Sequence, residues 1–122
     1  MFGDFMLDFD AIKNVNTEKI KYDKNSDILI SNFNLALENI NKFNNLQDRY
    51  NKKYLLLAAR YFSDCLKIKS NFAEAYLGLA YTFFIIDDIS NAFKYIKLAE
   101  EFEPDSQIIK ELKEKVVNKL KF

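Results

Sequence analysis

The fold is decided by residues 73–105, which read AEAYLGLAYTFFIIDDISNAFKYIKLAEEFEPD. Two apolar stripes with spacings of three and four residues lie on either side of Asp87 and Asp88, a pattern typical of amphipathic helices. The stretch therefore predicts one helix over about 72–86 and a second helix from the Asp pair to Pro104, which ends it. The stripes comprise Tyr76, Leu79, Ala80, Phe83 and Ile86 in the first helix, and Ala92, Tyr95, Ile96, Ala99 and Phe102 in the second.

The same spacing predicts three further helices, over about 27–44, about 52–68 and 105–122. Ser26 and Asp27 are N-cap candidates for the earliest of these helices. Asn71 and Glu74 form a capping-box-like pair before the stretch quoted above. The last helix has a narrow apolar stripe, and Lys and Glu occupy most of its remaining circumference.

Composition supports an all-helical chain and gives little material for catalysis. The 122 residues include only 2 Gly and 1 Pro, too few for the many tight turns of a sandwich or barrel. Histidine is absent and Cys65 is the only cysteine, so imidazole chemistry and most zinc sites lack their usual residues. We expect no enzymatic activity, no catalytic residue, no cofactor and no metal, and we interpret Cys65 as a buried, inert thiol.

Charge gives no reason to expect a nucleic-acid or membrane partner. Lys and Arg number 18, as do Asp and Glu, so no overall field attracts a polyanion. The lysines near the C-terminus alternate with Glu111 and Glu114, which fits a solvated helix face. The first ten residues carry three aspartates and no basic residue, unlike a signal peptide, and no apolar stretch reaches about 18 residues. We expect a cytoplasmic protein without membrane insertion.

A shift of 34 residues aligns the sequence with itself. It places Ala58 on Ala92, Phe62 on Ile96 and Cys65 on Ala99, so small residues match small ones and large residues match large ones. The same shift does not align the helices that precede these segments. Ile40 and Ala58 are 18 residues apart, whereas Phe83 and Ala92 are 9 apart, which predicts nine additional residues that lengthen both earlier helices and their connection.

A 34-residue period with two helices per unit resembles the tetratricopeptide repeat (TPR). In residues 73–105, the positions of the repeat signature match Tyr76, Leu79, Ala80, Phe83, Ala92, Ile96, Ala99 and Pro104. The resemblance implies antiparallel helix hairpins stacked as a short TPR-like α-α superhelix of about five helices. It also implies an organisation into an aromatic N-terminal segment, a degenerate long repeat, a consensus-like repeat and a capping helix, over 1–25, 26–70, 71–104 and 105–122 respectively.

TPR domains bind a peptide or helix of a partner protein in a concave groove, so the resemblance implies a non-enzymatic adaptor or scaffold. On the first helix of the consensus-like repeat, the residues about a third of a turn from the core stripe are Leu77, Tyr81 and Phe84. Members that clamp a C-terminal carboxylate have Lys and Asn at the positions of Leu77 and Tyr81. The sequence therefore favours an apolar peptide or an amphipathic helix as the ligand.

Other interpretations stay open at this point. The N-terminal segment or a neighbouring helix could bury Leu77, Tyr81 and Phe84, or a symmetric dimer could cover them. The aromatic residues of 1–25 fit a core or a cap, and also a self-inhibitory strand in the groove. The alternative function is a self-associating structural subunit, or a small chaperone for a secretion or appendage component.

Overall fold

A computed structural model describes residues 26–46 and 51–121, and the predicted N-terminal segment 1–25 lies outside these ranges. The described residues form five helices and no strand, which confirms the all-helical prediction. The helices are α1 (Ser26–Asn44), α2 (Lys53–Ile68), α3 (Ala73–Ile86), α4 (Ile89–Phe102) and α5 (Gln107–Leu120).

The helices pack in consecutive order as a stack of hairpins. Helix α1 pairs with α2, and α3 pairs with α4, while α3 also packs on α2 and α5 on α4. The pair α3 and α4 is antiparallel, because Tyr76 near the start of α3 stacks on Phe102 at the end of α4. Each of α3 and α5 therefore packs on the helix that precedes it, α3 on α2 and α5 on α4.

The first hairpin is longer than the second, as the sequence predicts. Helices α1 and α2 have 19 and 16 residues, whereas α3 and α4 have 14 each. The connection in the first hairpin covers 45–52, against only Asp87 and Asp88 in the second. The predicted extra residues thus lengthen both helices and the turn between them.

Small residues let the helices approach closely. Ala58, Ala92 and Ala99 are fully buried, and Cys65 is buried at the position that corresponds to Ala99. Gly78 of α3 faces Phe62 of α2 so closely that a methyl group there would lie 2.6 Å from Cε2 of the ring. Of the remaining repeat-signature positions, Leu79, Ala80 and Ile96 are buried, Tyr76 and Phe83 are partly buried, and Pro104 is exposed just after α4.

The helix ends show one side-chain cap and correct a predicted one. Asp88 caps α4, because its Oδ1 accepts a hydrogen bond of 3.3 Å from the backbone N–H of Asn91. The capping box predicted at Asn71 is wrong: α3 begins one residue later than that box requires, and its N-cap is Phe72 with no side-chain hydrogen bond. Helix α1 begins at Ser26, with Asp27 in its first turn.

A candidate partner-binding face on helix α3

Helix α3 is the most completely buried helix of the described residues. The other helices each bury one stripe, whereas α3 buries residues around its circumference. A helix with apolar side chains all round must have neighbours on several sides. The buried residues of α3 are Ala73, Ala75, Leu77, Gly78, Leu79, Ala80, Tyr81, Thr82 and Ile85.

Three side-chain contacts show which sides of α3 meet which helix. Gly78 faces α2 through Phe62. Phe83 faces α4, since its ring stacks on Tyr95 with 5.5 Å between ring centroids. Phe84 meets the end of α5, where Nζ of Lys119 lies 5.5 Å from the centroid of its ring. The α3 helix is therefore enclosed by α2, α4 and α5 in turn.

The predicted groove residues form the face of α3 that we call the Leu77 face, defined by Leu77, Tyr81 and Phe84. The structure places all three on this helix, but they are not an open surface. Leu77 is 2% exposed and Tyr81 is 1% exposed, and Phe84 is partly buried. The structure thus shows a largely buried face, an outcome that the sequence left open, because a helical periodicity identifies an apolar face but not what covers it.

The rim of the Leu77 face is charged. Lys119 lies over the Phe84 ring and also pairs with Asp87, with 3.6 Å between Nζ and Oδ1. Both charged side chains are largely exposed, so this ion pair contributes little to stability. The pair joins Lys119, near the end of α5, to Asp87 at the C-terminal end of α3.

A stack of four aromatic rings lies along the α3–α4 hairpin and was not predicted. In order, the rings belong to Phe102, Tyr76, Tyr95 and Phe83, with centroid separations of 5.8, 6.4 and 5.5 Å. The hydroxyl of Tyr76 donates a hydrogen bond of 3.0 Å to the carbonyl oxygen of Ser70. The signal was present in the sequence, since each helix carries two aromatic residues seven positions apart.

Cys65 has the environment of an unreactive thiol. The side chain is fully buried, and its Sγ lies 3.7 Å from the carbonyl oxygen of Leu29. Burial, and secondarily the negative charge of Asp64, raise the pKa of the Cys65 thiol from its usual 9.0 to about 12. A thiol with this pKa is protonated at neutral pH and is a poor nucleophile.

The acidic side chains in the turn between α3 and α4 have structural partners. Asp88 caps α4 and also accepts a hydrogen bond of 2.8 Å from the side-chain amide of Asn91. Within 26–46 and 51–121, no three His, Cys, Asp or Glu side chains lie together as metal ligands would. None of the helices in the described part of the chain is both long and apolar enough to cross a membrane.

The chain matches no protein-family model, no curated protein and no solved structure. The resemblance to tetratricopeptide repeats thus rests on the signature in residues 73–105 and on the hairpin stack described above. Membership of that family remains a prediction.

Proposed function

We propose that this chain is a non-enzymatic interaction module, a short TPR-like stack that binds an apolar peptide or an amphipathic helix of a partner protein along α3. A cytoplasmic location and a protein, rather than a nucleic acid, as the partner are parts of this proposal. The single observation that carries it is that α3 is apolar around its circumference, with Leu77, Tyr81 and Phe84 on a side other than those at which Gly78 meets α2 and Phe83 meets α4. Helix-in-groove recognition needs such a face.

The alternative of a self-associating subunit or chaperone has weaker support from the surface. Among the described residues, the large apolar side chains that stay exposed lie on four different helices, one on each, and single exposed apolar residues need no partner. These side chains are Ile28, Leu56, Phe102 and Leu120. Light scattering at several protein concentrations separates the two functions, because an adaptor stays monomeric and a structural subunit does not.

The test compares two single-site variants in affinity capture from the source cell. Phe84→Ala removes a partly buried ring at the rim of the Leu77 face, whereas Leu56→Ala removes a 61% exposed side chain of α2 and serves as the matched control. We expect a partner captured by the original chain to be retained by Leu56→Ala and lost with Phe84→Ala. Equal capture by all three proteins, each shown to be folded by its thermal transition, contradicts the proposed site.

A further inference from the structure

The contact between α2 and α3 has a counterpart between α4 and α5. Helix α3 packs on α2 and α5 packs on α4; we call these two contacts the first seam and the second seam. The 34-residue shift moves the bounds of α3, Ala73–Ile86, onto 107–120, which are the bounds of α5. Each residue of α5 therefore has an equivalent in α3, and the two seams can be compared position by position.

In the first seam, the large residue lies on α2. Phe62 is fully buried, and its ring occupies the space in which a side chain at residue 78 would begin. Ala75 and Thr82, three residues before Gly78 and four after it, lie on the same side of α3 and are also fully buried. Helix α3 therefore presents a row of small residues to the ring of Phe62.

In the second seam, the sizes at the central position are exchanged. Ile96 of α4 is the equivalent of Phe62, and Leu112 of α5 is the equivalent of Gly78. Both Ile96 and Leu112 are fully buried. The earlier helix of this seam has thus lost volume relative to the first seam, and the later helix has gained it.

The residues on either side of Leu112 do not offset this exchange. Ile109, which is buried, is larger than its equivalent Ala75. Val116, which is fully buried, has about the size of Thr82 without the hydroxyl that Thr82 donates to the carbonyl oxygen of Gly78. Helix α5 therefore presents a larger and wholly apolar row to α4.

Close packing makes the two sides of each seam depend on one another. A protein interior is filled to about the density of an organic crystal, so both voids and excess volume are costly. Helix α3, from this chain or a second copy, would leave a void on α4 because Gly78 would face Ile96. Helix α5 would overfill the contact on α2 because Leu112 would face Phe62.

We propose that the residues across the two seams are matched in size, Phe62 with Gly78 and Ile96 with Leu112, and that this matching fixes which helix packs on which. The face of α2 takes the helix with glycine at the central position, and the face of α4 takes the helix with leucine there. No partner protein is needed for this matching, which is independent of the proposed function.

A double-mutant cycle in the full chain tests the matching across the second seam. Leu112→Ala and Ile96→Phe are made singly and together, so that the double variant has the large residue on α4 and the small one on α5, as in the first seam. The matched control combines Leu112→Ala with Gly78→Ala, which also pairs one reduction with one enlargement but places them in different seams. Urea unfolding followed by circular dichroism gives the equilibrium constant of unfolding for each protein.

We expect Leu112→Ala and Ile96→Phe each to raise this equilibrium constant about tenfold or more, the first through a cavity and the second through overpacking. Together they should return it to within about threefold of the original, whereas the control pair should multiply the effects of its two substitutions. Effects that also multiply within the second seam overturn the matching. Leu112→Val repeats the cycle with a smaller reduction, so the test stands even where Leu112→Ala does not fold.

Discussion

At the scale of single residues, Gly78 shows most directly how the two hairpins fit together. Its position on α3 leaves room for the ring of Phe62, which is fully buried and is held edge to face against Phe33 with 5.8 Å between ring centroids. The ring therefore cannot move aside without disturbing α1. A side chain at residue 78 has to displace a packed core residue.

We expect Gly78→Ala to lower the free energy of unfolding by about 1–3 kcal/mol through overpacking, although Ala is the better helix former by about 1 kcal/mol. The measurement is urea unfolding followed by circular dichroism. Repeating Gly78→Ala in a Phe62→Leu background provides the control, since the shorter side chain removes the overlap and the cost should shrink. A Gly78→Ala protein more stable than the original contradicts the packing.

Asp87 has a left-handed backbone conformation, with φ of 73°, at the C-terminal end of α3. In this conformation the backbone of a residue other than Gly is strained, because its Cβ crowds the neighbouring peptide group. We expect Asp87→Gly to be more stable than Asp87→Ala by about 1 kcal/mol, because both lose the exposed pair with Lys119 but only Gly relieves the strain. Equal melting temperatures for the two variants would count against the left-handed turn.

The raised pKa of Cys65 predicts how stability changes at alkaline pH. The buried thiol stays protonated up to about pH 12, whereas in the unfolded chain it ionises near 9.0. Its contribution is therefore complete below pH 9 and is lost as the pH rises from 9 towards 12. Relative to Cys65→Ala, the original chain should lose about 1.4 kcal/mol of unfolding free energy between pH 8 and pH 10. A pH-independent difference between the two proteins argues against a buried neutral thiol.

At the scale of helices, the short turn between α3 and α4 depends on Asp88. Its carboxylate accepts the backbone N–H of Asn91 and so satisfies a group that the first turn of α4 leaves unpaired. We expect Asp88→Ala to destabilise the chain by about 0.5–2 kcal/mol, and Asp88→Ser to restore most of the loss. Thermal unfolding by circular dichroism measures both. Equal stability of Asp88→Ala and Asp88→Ser excludes the cap.

The helices themselves were predictable within one or two residues, because each carries a strong apolar periodicity between polar breaks. Their ends were less predictable. Asn71 has the chemistry of an N-cap, yet Phe72 occupies that position since its buried ring packs edge to face on Phe33. The cap of α5, where Ser106 Oγ accepts the N–H of Ile109, was missed although Ser is a favoured capping residue.

At the scale of the whole molecule, α5 packs on the second hairpin through α4. It buries Ile109, Leu112 and Val116 against the preceding hairpin, and its other sides are mostly charged. Lys113 pairs with Glu100 of α4 at 2.8 Å and joins the two helices at their edge. A further hairpin would need an apolar face here, so the mostly charged outer sides of α5 fit the capping helix that the sequence predicts.

The sequence predicted this stack but not the exposure of the Leu77 face. A 34-residue shift reveals small residues at equivalent positions, and their burial follows because close helix contacts need them. Burial of Leu77 and Tyr81 depends on what lies above α3 in space. No pattern within α3 can specify that neighbour, so the sequence predicted the helix and its apolar face but left the burial of that face open.

The two hairpins stack through the contact between α2 and α3, and a single spectrum can detect this contact. In a nuclear Overhauser spectrum of the folded chain, we predict strong cross-peaks between the α-protons of Gly78 and the ring protons of Phe62. They should disappear on Phe62→Leu, whose side chain has no ring. Spectra in which Gly78 shows no cross-peak to any residue of α2 would contradict the stack.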